Sequence, residues 1–379
     1  MKLRSMGPVA ALVLFVSSLS AGGCADASGT GTESAAATSA FLAPSSYADL
    51  IRLDPAFPFG VIGRHAAAGP VLGARWGRHG GPVVTTHAAE TAQVTRWSLA
   101  GGPSDAATKA VVSAASAPGL PALHFWGADG VVDLPGAPLA MQAYTGAGAP
   151  FRGELFFYSA PLDAVVGRAW VNGFYSGAGV TQGSRLRILY SALSSTSLVP
   201  ETRSENGLWA SDVCDGSAVP TDACGKSVRL FGWDGFSGPV ATDGDGNVFV
   251  AAFVGAAPSD VVFGLSRDQA FADVATSPAR VAEVNAGGTS SLAAVLSPGA
   301  TSGWVVAKGY DAETTAPAWA RRYAEEGGAV QGTGAPVARA ITAASDTISF
   351  SVFADDRGHL WIAAEDFPSA WLLELGPRP

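Results

Sequence analysis

The chain has 379 residues, of which 48% are hydrophobic and 15% are charged, and its formal net charge is −9. This acidic balance, with no basic cluster, argues against binding to nucleic acid or to an anionic lipid surface. The 47 glycines and 24 prolines are numerous, but ten tryptophans and eighteen phenylalanines need a core to bury them. The composition therefore excludes a disordered chain and favours many short strands joined by tight turns.

The first 23 residues are predicted to be a signal peptide, which export would remove. Lys2 and Arg4 give this segment a positive start, and residues 9–19 follow as an apolar stretch. That stretch is too short to span a bilayer core of about 30 Å as a helix, whereas it matches the apolar region of a signal peptide. The chain is therefore expected to leave the cytoplasm.

Small residues fill the positions before Cys24, in the sequence LSAGGC. This sequence resembles the lipobox of bacterial lipoproteins, a family in which signal peptidase II cuts before the cysteine and the cysteine sulfur carries diacylglycerol. The resemblance implies that Cys24 is lipidated, although Ala21 stands where the family usually has leucine. The alternative is an ordinary cleavage site at residues 25–27, ADA, which would release a soluble protein.

Residues 24–45 are small and polar, and they predict a flexible tether between the anchor and the folded domain. No later apolar run approaches 18 residues, so the lipid would be the chain's one attachment to the membrane. Ala25 stands where an inner-membrane retention signal would have aspartate. The predicted location is the outer membrane or cell surface, with a soluble periplasmic or secreted protein as the alternative.

Residues 46–379 are predicted to form an all-β domain, because short runs rich in valine, isoleucine and aromatic residues alternate with turn signals. Two segments near the end of the chain also repeat. The segment DGDGNVFVAAF, which starts at Asp243, matches DDRGHLWIAAE, which starts at Asp355, and SGWVVAKG around Gly303 is a third copy between them. One unit is therefore about 52–57 residues long and contains a turn, an inner strand, a loop and an outer strand.

This repeat resembles the blades of bacterial β-propellers related to the NHL family and, less closely, FG-GAP propellers. The resemblance implies a β-propeller domain with six blades, since about 330 residues hold six units of about 55. Five or seven blades stay open. The alternative fold is a pair of stacked β-sandwich domains, in which strands would have a similar spacing.

Two cysteines remain besides Cys24, and an even remainder in an exported protein predicts a disulfide between Cys214 and Cys224. The nine residues between them fit neither C-x-x-C redox chemistry nor close zinc spacing. The disulfide is expected to close a polar loop within an insertion at residues 200–235. Three aromatic residues near this loop are predicted to form a binding surface: Trp209, Trp233 and Phe236.

The acidic turn at Asp243 raises the question of a calcium site, with Asp243, Asp245 and Asn247 as the candidate ligands. An EF-hand loop needs glycine where Val248 stands, and its bidentate glutamate is missing. In the repeated copy, the cation Arg357 replaces Asp245. A tight hairpin turn is therefore predicted, calcium stays a weaker alternative, and no other cofactor is expected.

Motifs for a nucleophile, a zinc protease or nucleotide binding are absent from the sequence, and no catalytic residue is predicted. The five histidines are scattered along the chain: His65, His79, His87, His124 and His359. The predicted function is a lipid-anchored binding or scaffolding module at the cell envelope, with a protein or a carbohydrate as partner. The alternative is a propeller lyase or hydrolase that acts on envelope or extracellular polysaccharide, which a cluster of His, Asp, Glu or Arg at one end of the channel would favour.

Overall fold

The structure is a computed structural model, and the residues that it describes belong to one compact unit. It describes residues 41–379 except 68–72, 78–80, 89–90, 99–101, 104–109, 113–122, 125–130, 133–139, 146–151, 159–164, 173, 184, 193–206, 214–227, 234, 255–259, 285–287, 310–315 and 367. The described N-terminal segment begins with a 3-10 turn and continues into two strands: Pro44–Ser46, then β1 (Ile51–Leu53) and β2 (Phe59–Ala67).

The strands that follow form six antiparallel sheets in chain order. The first sheet contains β3 (Gly73–Gly77), β4 (Gly81–Ala88), β5 (Thr91–Ser98), β6 (Gly102–Pro103) and β7 (Ala110–Val112). The second contains β8 (Leu123–His124), β9 (Val131–Val132), β10 (Ala140–Thr145), β11 (Arg152–Tyr158) and β12 (Val165–Asn172). The third contains β13 (Phe174–Gln182), β14 (Arg185–Ala192), β15 (Gly207–Val213) and β16 (Val228–Gly232).

The fourth sheet contains β17 (Gly235–Thr242), β18 (Val248–Val254), β19 (Asp260–Leu265) and β20 (Ala279–Val284), with a short helix α1 (Arg267–Ala270) between its last two strands. The fifth contains β21 (Thr289–Val295), β22 (Ser302–Gly309), β23 (Ala318–Glu326) and β24 (Ala329–Ala343). The sixth contains β25 (Ser349–Ala354), β26 (Leu360–Asp366) and β27 (Ser369–Pro377).

The N-terminal strands complete the last two sheets. Strand β2 pairs with β27 and becomes the fourth strand of the sixth sheet, and β1 pairs with β24 at the edge of the fifth. The first strands of successive sheets also contact one another, from β13 through β17, β21 and β25 to β3. The described residues thus contain six antiparallel sheets, five of which contact one another in series through their first strands, and an N-terminal strand completes the last sheet. This is the architecture of a β-propeller. The predicted all-β fold is confirmed.

The fourth, fifth and sixth sheets each have apolar residues on both faces, because each packs against two neighbouring sheets. In β18, Val248 and Val250 pack toward the third sheet, while Phe249 and Ala251 pack toward the fifth. A similar core lies between the fifth and sixth sheets, and another lies between the sixth and first. Strands that are buried on both faces read as continuous apolar runs rather than as alternating patterns.

The structure corrects two details of the sequence prediction. The repeated apolar segments are β18, β22 and β26, which are the second strands of their sheets and not the innermost ones. Residues 200–235, predicted to be an insertion, include β15 and β16, which are regular strands of the third sheet. Residues 214–227, between those strands, lie outside the described residues.

Buried serines link the first strands of neighbouring sheets. Ser176 accepts a hydrogen bond from the backbone N–H of Val240, at 2.9 Å, and Ser291 accepts one from Val352, at 3.0 Å. Both bonds are buried, so each hydroxyl satisfies a buried backbone donor of the neighbouring sheet. In the described part of the chain, no helix is both long enough and apolar enough to cross a membrane.

Replacing Ser291 by alanine is expected to destabilise the protein by about 1–3 kcal/mol, because the buried N–H of Val352 would lose its acceptor. The unfolding free energy from urea titration measures this loss. Ser277→Ala, at an exposed serine, serves as the control and should change the free energy by less than about 0.5 kcal/mol. Equal effects of the two variants would show that the serine link contributes nothing.

Candidate functional site

The hairpin between β25 and β26 is organised by one aspartate. Asp355 Oδ1 accepts hydrogen bonds from the backbone N–H groups of Arg357, at 2.9 Å, and His359, at 2.8 Å. Its own N–H donates to the carbonyl of His359, at 3.0 Å, and Gly358 has a φ of +83°, a conformation that favours glycine. The Asp-x-x-Gly-x pattern therefore specifies a tight turn whose centre is a buried carboxylate.

The same turn joins β17 and β18, as the repeat predicted. Asp243 Oδ1 accepts from the N–H groups of Asp245, at 3.0 Å, and Asn247, at 2.9 Å, and Gly246 has a φ of +85°. The predicted hairpin is confirmed. The two copies differ in the second carboxylate oxygen, because Asp243 Oδ2 accepts from Asn247 Nδ2, at 2.9 Å, and from the hydroxyl of Tyr323, at 2.6 Å.

The side-chain oxygens of Asp243 and Asn247 that would bind calcium therefore already accept hydrogen bonds at the hairpin. Burial raises the pKa of Asp243 even though four hydrogen bonds favour its charged form. Asp245 is exposed, and the side-chain oxygen of Asn247 accepts from the N–H of Arg267, at 3.3 Å. Calcium at these residues stays a prediction, and an ion there would have to replace these hydrogen bonds.

In the sixth sheet, the second oxygen of Asp355 belongs to a larger group of charged side chains. We call this group the closure cluster; its members are His65, Asp355, Arg357, His359 and Glu374. Asp355 comes from the β25–β26 hairpin, Glu374 from β27 and His65 from β2. The pairing of β2 with β27 thus brings His65 next to residues that are about 300 positions away in the chain.

Glu374 lies at the centre of the closure cluster. Its Oε1 is 2.7 Å from Arg357 Nη2 and 2.7 Å from His359 Nδ1, and its Oε2 is 4.0 Å from His65 Nε2. Burial alone would raise the pKa of Glu374, but the hydrogen bond from His359 and the charge of Arg357 outweigh it and lower that pKa. Glu374 therefore remains a carboxylate in this setting.

Arg357 joins the two carboxylates. Its Nη2 is 2.8 Å from Asp355 Oδ2 and its Nε is 3.0 Å from the same oxygen, while Nη2 also reaches Glu374. The side chain of Asp355 is fully buried, and that of Arg357 is 43% exposed. A cation thus sits between two negative charges, and its other side is open to solvent.

Tryptophans hold the closure cluster against the first sheet. The indole N–H of Trp361 donates to Asp355 Oδ2, at 3.1 Å, and its ring stacks on that of His65, with 5.7 Å between centroids. Trp76, on β3, lies 5.6 Å from Trp361 and 5.1 Å from the guanidinium of Arg357. The cluster therefore occupies the junction at which the last sheet meets the first.

A second charged network joins the third sheet to the segment after α1. The guanidinium of Arg187 donates to Asp212, at 2.6 Å, to Asp273, at 2.7 Å, and to the carbonyls of Ala270 and Ala272. Arg187 is 2% exposed, so its charge is buried but paired. Burial alone would raise the pKa of Asp212, yet its hydrogen bonds from the two arginines, Arg187 and Arg185, lower it.

The three aromatic residues that were predicted to form one binding surface do not share one environment in the structure. Trp233 is 9% exposed and packs among Phe231 and Phe263, so its ring is part of the core. Trp209 is half-buried on β15. Phe236 lies on β17, and its side chain is outside the described part of the structure.

The remaining predicted positions lie elsewhere. Cys24, Cys214 and Cys224 lie outside the described residues, as does His79. His87 is on β4 and His124 is on β8. The sequence does not predict the closure cluster, because its members are far apart in the chain. The one local signal is that a cationic residue, Arg357, and a histidine, His359, occur together in the repeated turn.

No protein-family model matches the chain, and no curated protein matches it. Solved structures resemble it at low sequence identity. The soluble aldose sugar dehydrogenase of Escherichia coli is 12% identical, with 83% of this chain and 100% of that chain covered and a TM-score of 0.44. The exo-β-1,3-galactanase of Phanerochaete chrysosporium is 8% identical, with coverage of 82% and 64% and a TM-score of 0.35. The α-L-arabinofuranosidase of Podospora anserina is 9% identical, with coverage of 65% and 89% and a TM-score of 0.36. Similarities of this size carry no argument about activity.

Asp212→Asn is expected to destabilise the protein by about 1–2 kcal/mol at pH 7, because buried Arg187 would lose a charged partner. The pKa of Asp212 is lowered by folding, so its contribution is present above the ordinary value of 3.8 and is lost as the pH falls through the folded value. Urea titrations at pH 7 and below pH 3.8 measure both effects.

Asp273→Asn is the matched control, since Asp273 also contacts Arg187 but its side chain is 68% exposed. It should destabilise the protein less than Asp212→Asn. A loss of stability in Asp212→Asn that stays constant down to the lowest pH would contradict the ionic origin of the contribution.

Proposed function

We propose that the protein is a lipid-anchored β-propeller that acts as a binding or scaffolding module at the cell envelope. The observation that carries this proposal is where the N-terminal segment joins the propeller. Strand β1 pairs with β24, the fourth strand of the fifth sheet, and β2 pairs with β27 and is itself the fourth strand of the sixth sheet. Both N-terminal strands therefore lie at the sheet edges farthest from the first strands. A tether that precedes them would therefore hold the propeller by its rim.

Hydrogen bonds and an ion pair attach the N-terminal segment to the propeller. The N–H of Leu42 donates to the carbonyl of Val61, at 2.7 Å. Arg64 donates to the carbonyl of Ser46, at 2.7 Å, and forms an ion pair with Asp49, at 2.9 Å. The chain thus becomes part of the fold close to the predicted end of the tether, at residue 45, and a rim attachment would leave both faces of the propeller accessible to partners.

The charged networks support a rigid module more than a catalyst. In the described part of the chain, Arg187 is buried with both of its aspartate partners in place, and Asp355 is fully buried beneath Arg357. Groups that neutralise one another stabilise the contacts between sheets, whereas a general acid or base needs a proton-transfer path to its substrate. We therefore infer that Arg187 and its two aspartate partners serve the scaffold.

Lipidation at Cys24 makes a direct prediction. In a bacterial host, the wild-type chain should fractionate with membranes, and mass spectrometry of its N-terminal peptide should show diacylglycerol on Cys24. Cys24→Ser should move the protein to the soluble fraction, because one lipid-bearing residue supplies the anchor. A membrane-bound Cys24→Ser variant, or an unmodified N-terminus that begins after residue 27, would contradict the anchor.

Binding is tested at Trp209, the half-buried member of the predicted aromatic surface. A photo-crosslinking amino acid at position 209 should give a discrete adduct with one envelope component in intact cells. The same amino acid at the exposed position of Arg322 is the control. Identical adducts at both positions, or none at position 209, would count against a partner at this surface.

A propeller lyase or hydrolase that acts on polysaccharide is the second candidate, and the closure cluster is the observation that favours it. Two carboxylates, two imidazoles and a guanidinium meet at one junction of the propeller. Release of reducing ends or unsaturated sugars from extracted envelope polysaccharide, abolished by Glu374→Gln, would support this enzyme over a binding module.

A further inference from the structure

Three side chains of the closure cluster present ligand atoms to one point. Asp355, His359 and Glu374 each offer one ligand atom, and these three atoms lie within 4.8 Å of one another. Ligand atoms in a tetrahedral zinc site are about 3.3 Å apart, given bonds of about 2.0 Å. Asp355 Oδ2 and His359 Nδ1 are 3.5 Å apart, which is close to this spacing. His359 Nδ1 and Glu374 Oε1 are 2.7 Å apart, so an ion would replace their hydrogen bond and separate them by about 0.6 Å.

We propose that these three side chains bind one divalent transition-metal ion, such as Zn²⁺, with His65 as the fourth ligand. His65 Nε2 lies 4.0 Å from Glu374 Oε2, and it has no hydrogen-bond partner among the described residues. Mixed imidazole and carboxylate ligands suit Zn²⁺, Co²⁺ and Ni²⁺, whereas Ca²⁺ and Mg²⁺ prefer oxygen alone. This site is distinct from the candidate calcium ligands of the fourth sheet.

The ligands are held in place by groups outside the site. Two backbone N–H groups bind Asp355 Oδ1, so the other oxygen is fixed in direction. Trp361 donates to Oδ2 and stacks on His65, which orients a carboxylate and an imidazole at once. Such supporting contacts set the direction of metal ligands and strengthen their binding.

Arg357 occupies the position of a cation between the carboxylates. Its Nη2 is 2.8 Å from Asp355 Oδ2 and 2.7 Å from Glu374 Oε1, the two oxygens that the metal would use. Because the side chain of Arg357 is 43% exposed, its guanidinium can turn into solvent. The metal and Arg357 therefore compete for one place, and the arginine limits the affinity.

The test uses the purified protein with its free thiols alkylated, so that cysteines cannot bind the ion. After treatment with EDTA, Zn²⁺ is titrated by calorimetry, and the visible spectrum of bound Co²⁺ reports tetrahedral coordination. We expect one ion per chain. His359→Ala and Glu374→Gln should each weaken binding about tenfold or more, and Arg357→Ala should tighten it about tenfold.

Arg322→Ala, at an exposed arginine of β23, is the matched control and should leave the affinity unchanged. His359→Ala keeps the backbone N–H that binds Asp355, and Glu374→Gln keeps the shape of the side chain, so at least one should fold; circular dichroism verifies this. The absence of saturable binding to wild type would overturn the proposal. Binding that survives both substitutions, or that occurs in Arg357→Ala alone, would overturn it as well.

Discussion

The structure depends on the pairing between β2 and β27. This ladder joins the start of the folded chain to its end, from Phe59 opposite Pro377 to Ala67 opposite Ala370. It gives the sixth sheet its fourth strand and joins the first described strands to the last one. Opening the sixth sheet at this point would break an antiparallel ladder that has one irregularity, between Val61 and Gly63. The N–H of Arg378 also donates to the carbonyl of Pro58, at 2.6 Å, which extends the closure beyond the ladder itself.

Turn residues set the hairpins within each sheet, and the pairing of β2 with β27 then brings side chains from distant parts of the chain together. In both copies of the acidic hairpin, one carboxylate oxygen binds two backbone N–H groups, and this role needs aspartate and glycine at fixed spacing. The second oxygen binds other partners, which are Asn247 and Tyr323 in one hairpin and Arg357 and Trp361 in the other. One oxygen of each aspartate therefore holds the turn, while the partners of the other oxygen differ between the two hairpins.

This division explains what the sequence could predict. The all-β fold, the three repeated segments and the hairpin at Asp243 follow from apolar runs and from turn residues, which act over a few positions. The closure cluster could not be predicted in this way, because His65 meets Glu374 through strand pairing that no local pattern encodes. The glycine and aspartate residues beside Trp233 predict an exposed side chain, whereas tertiary packing with Phe263 buries it.

Arg357 stands in the repeat where the first hairpin has Asp245, and the surroundings of the two positions explain the difference. At position 245 the side chain is exposed and lies beside a single buried carboxylate. At position 357 the arginine meets two carboxylates, because Glu374 enters from the third strand. Two negative charges this close destabilise each other unless a cation lies between them. A positive charge therefore stabilises the junction, and the half-exposed guanidinium of Arg357 supplies it in the structure. The proposed metal ion would supply it in the same place.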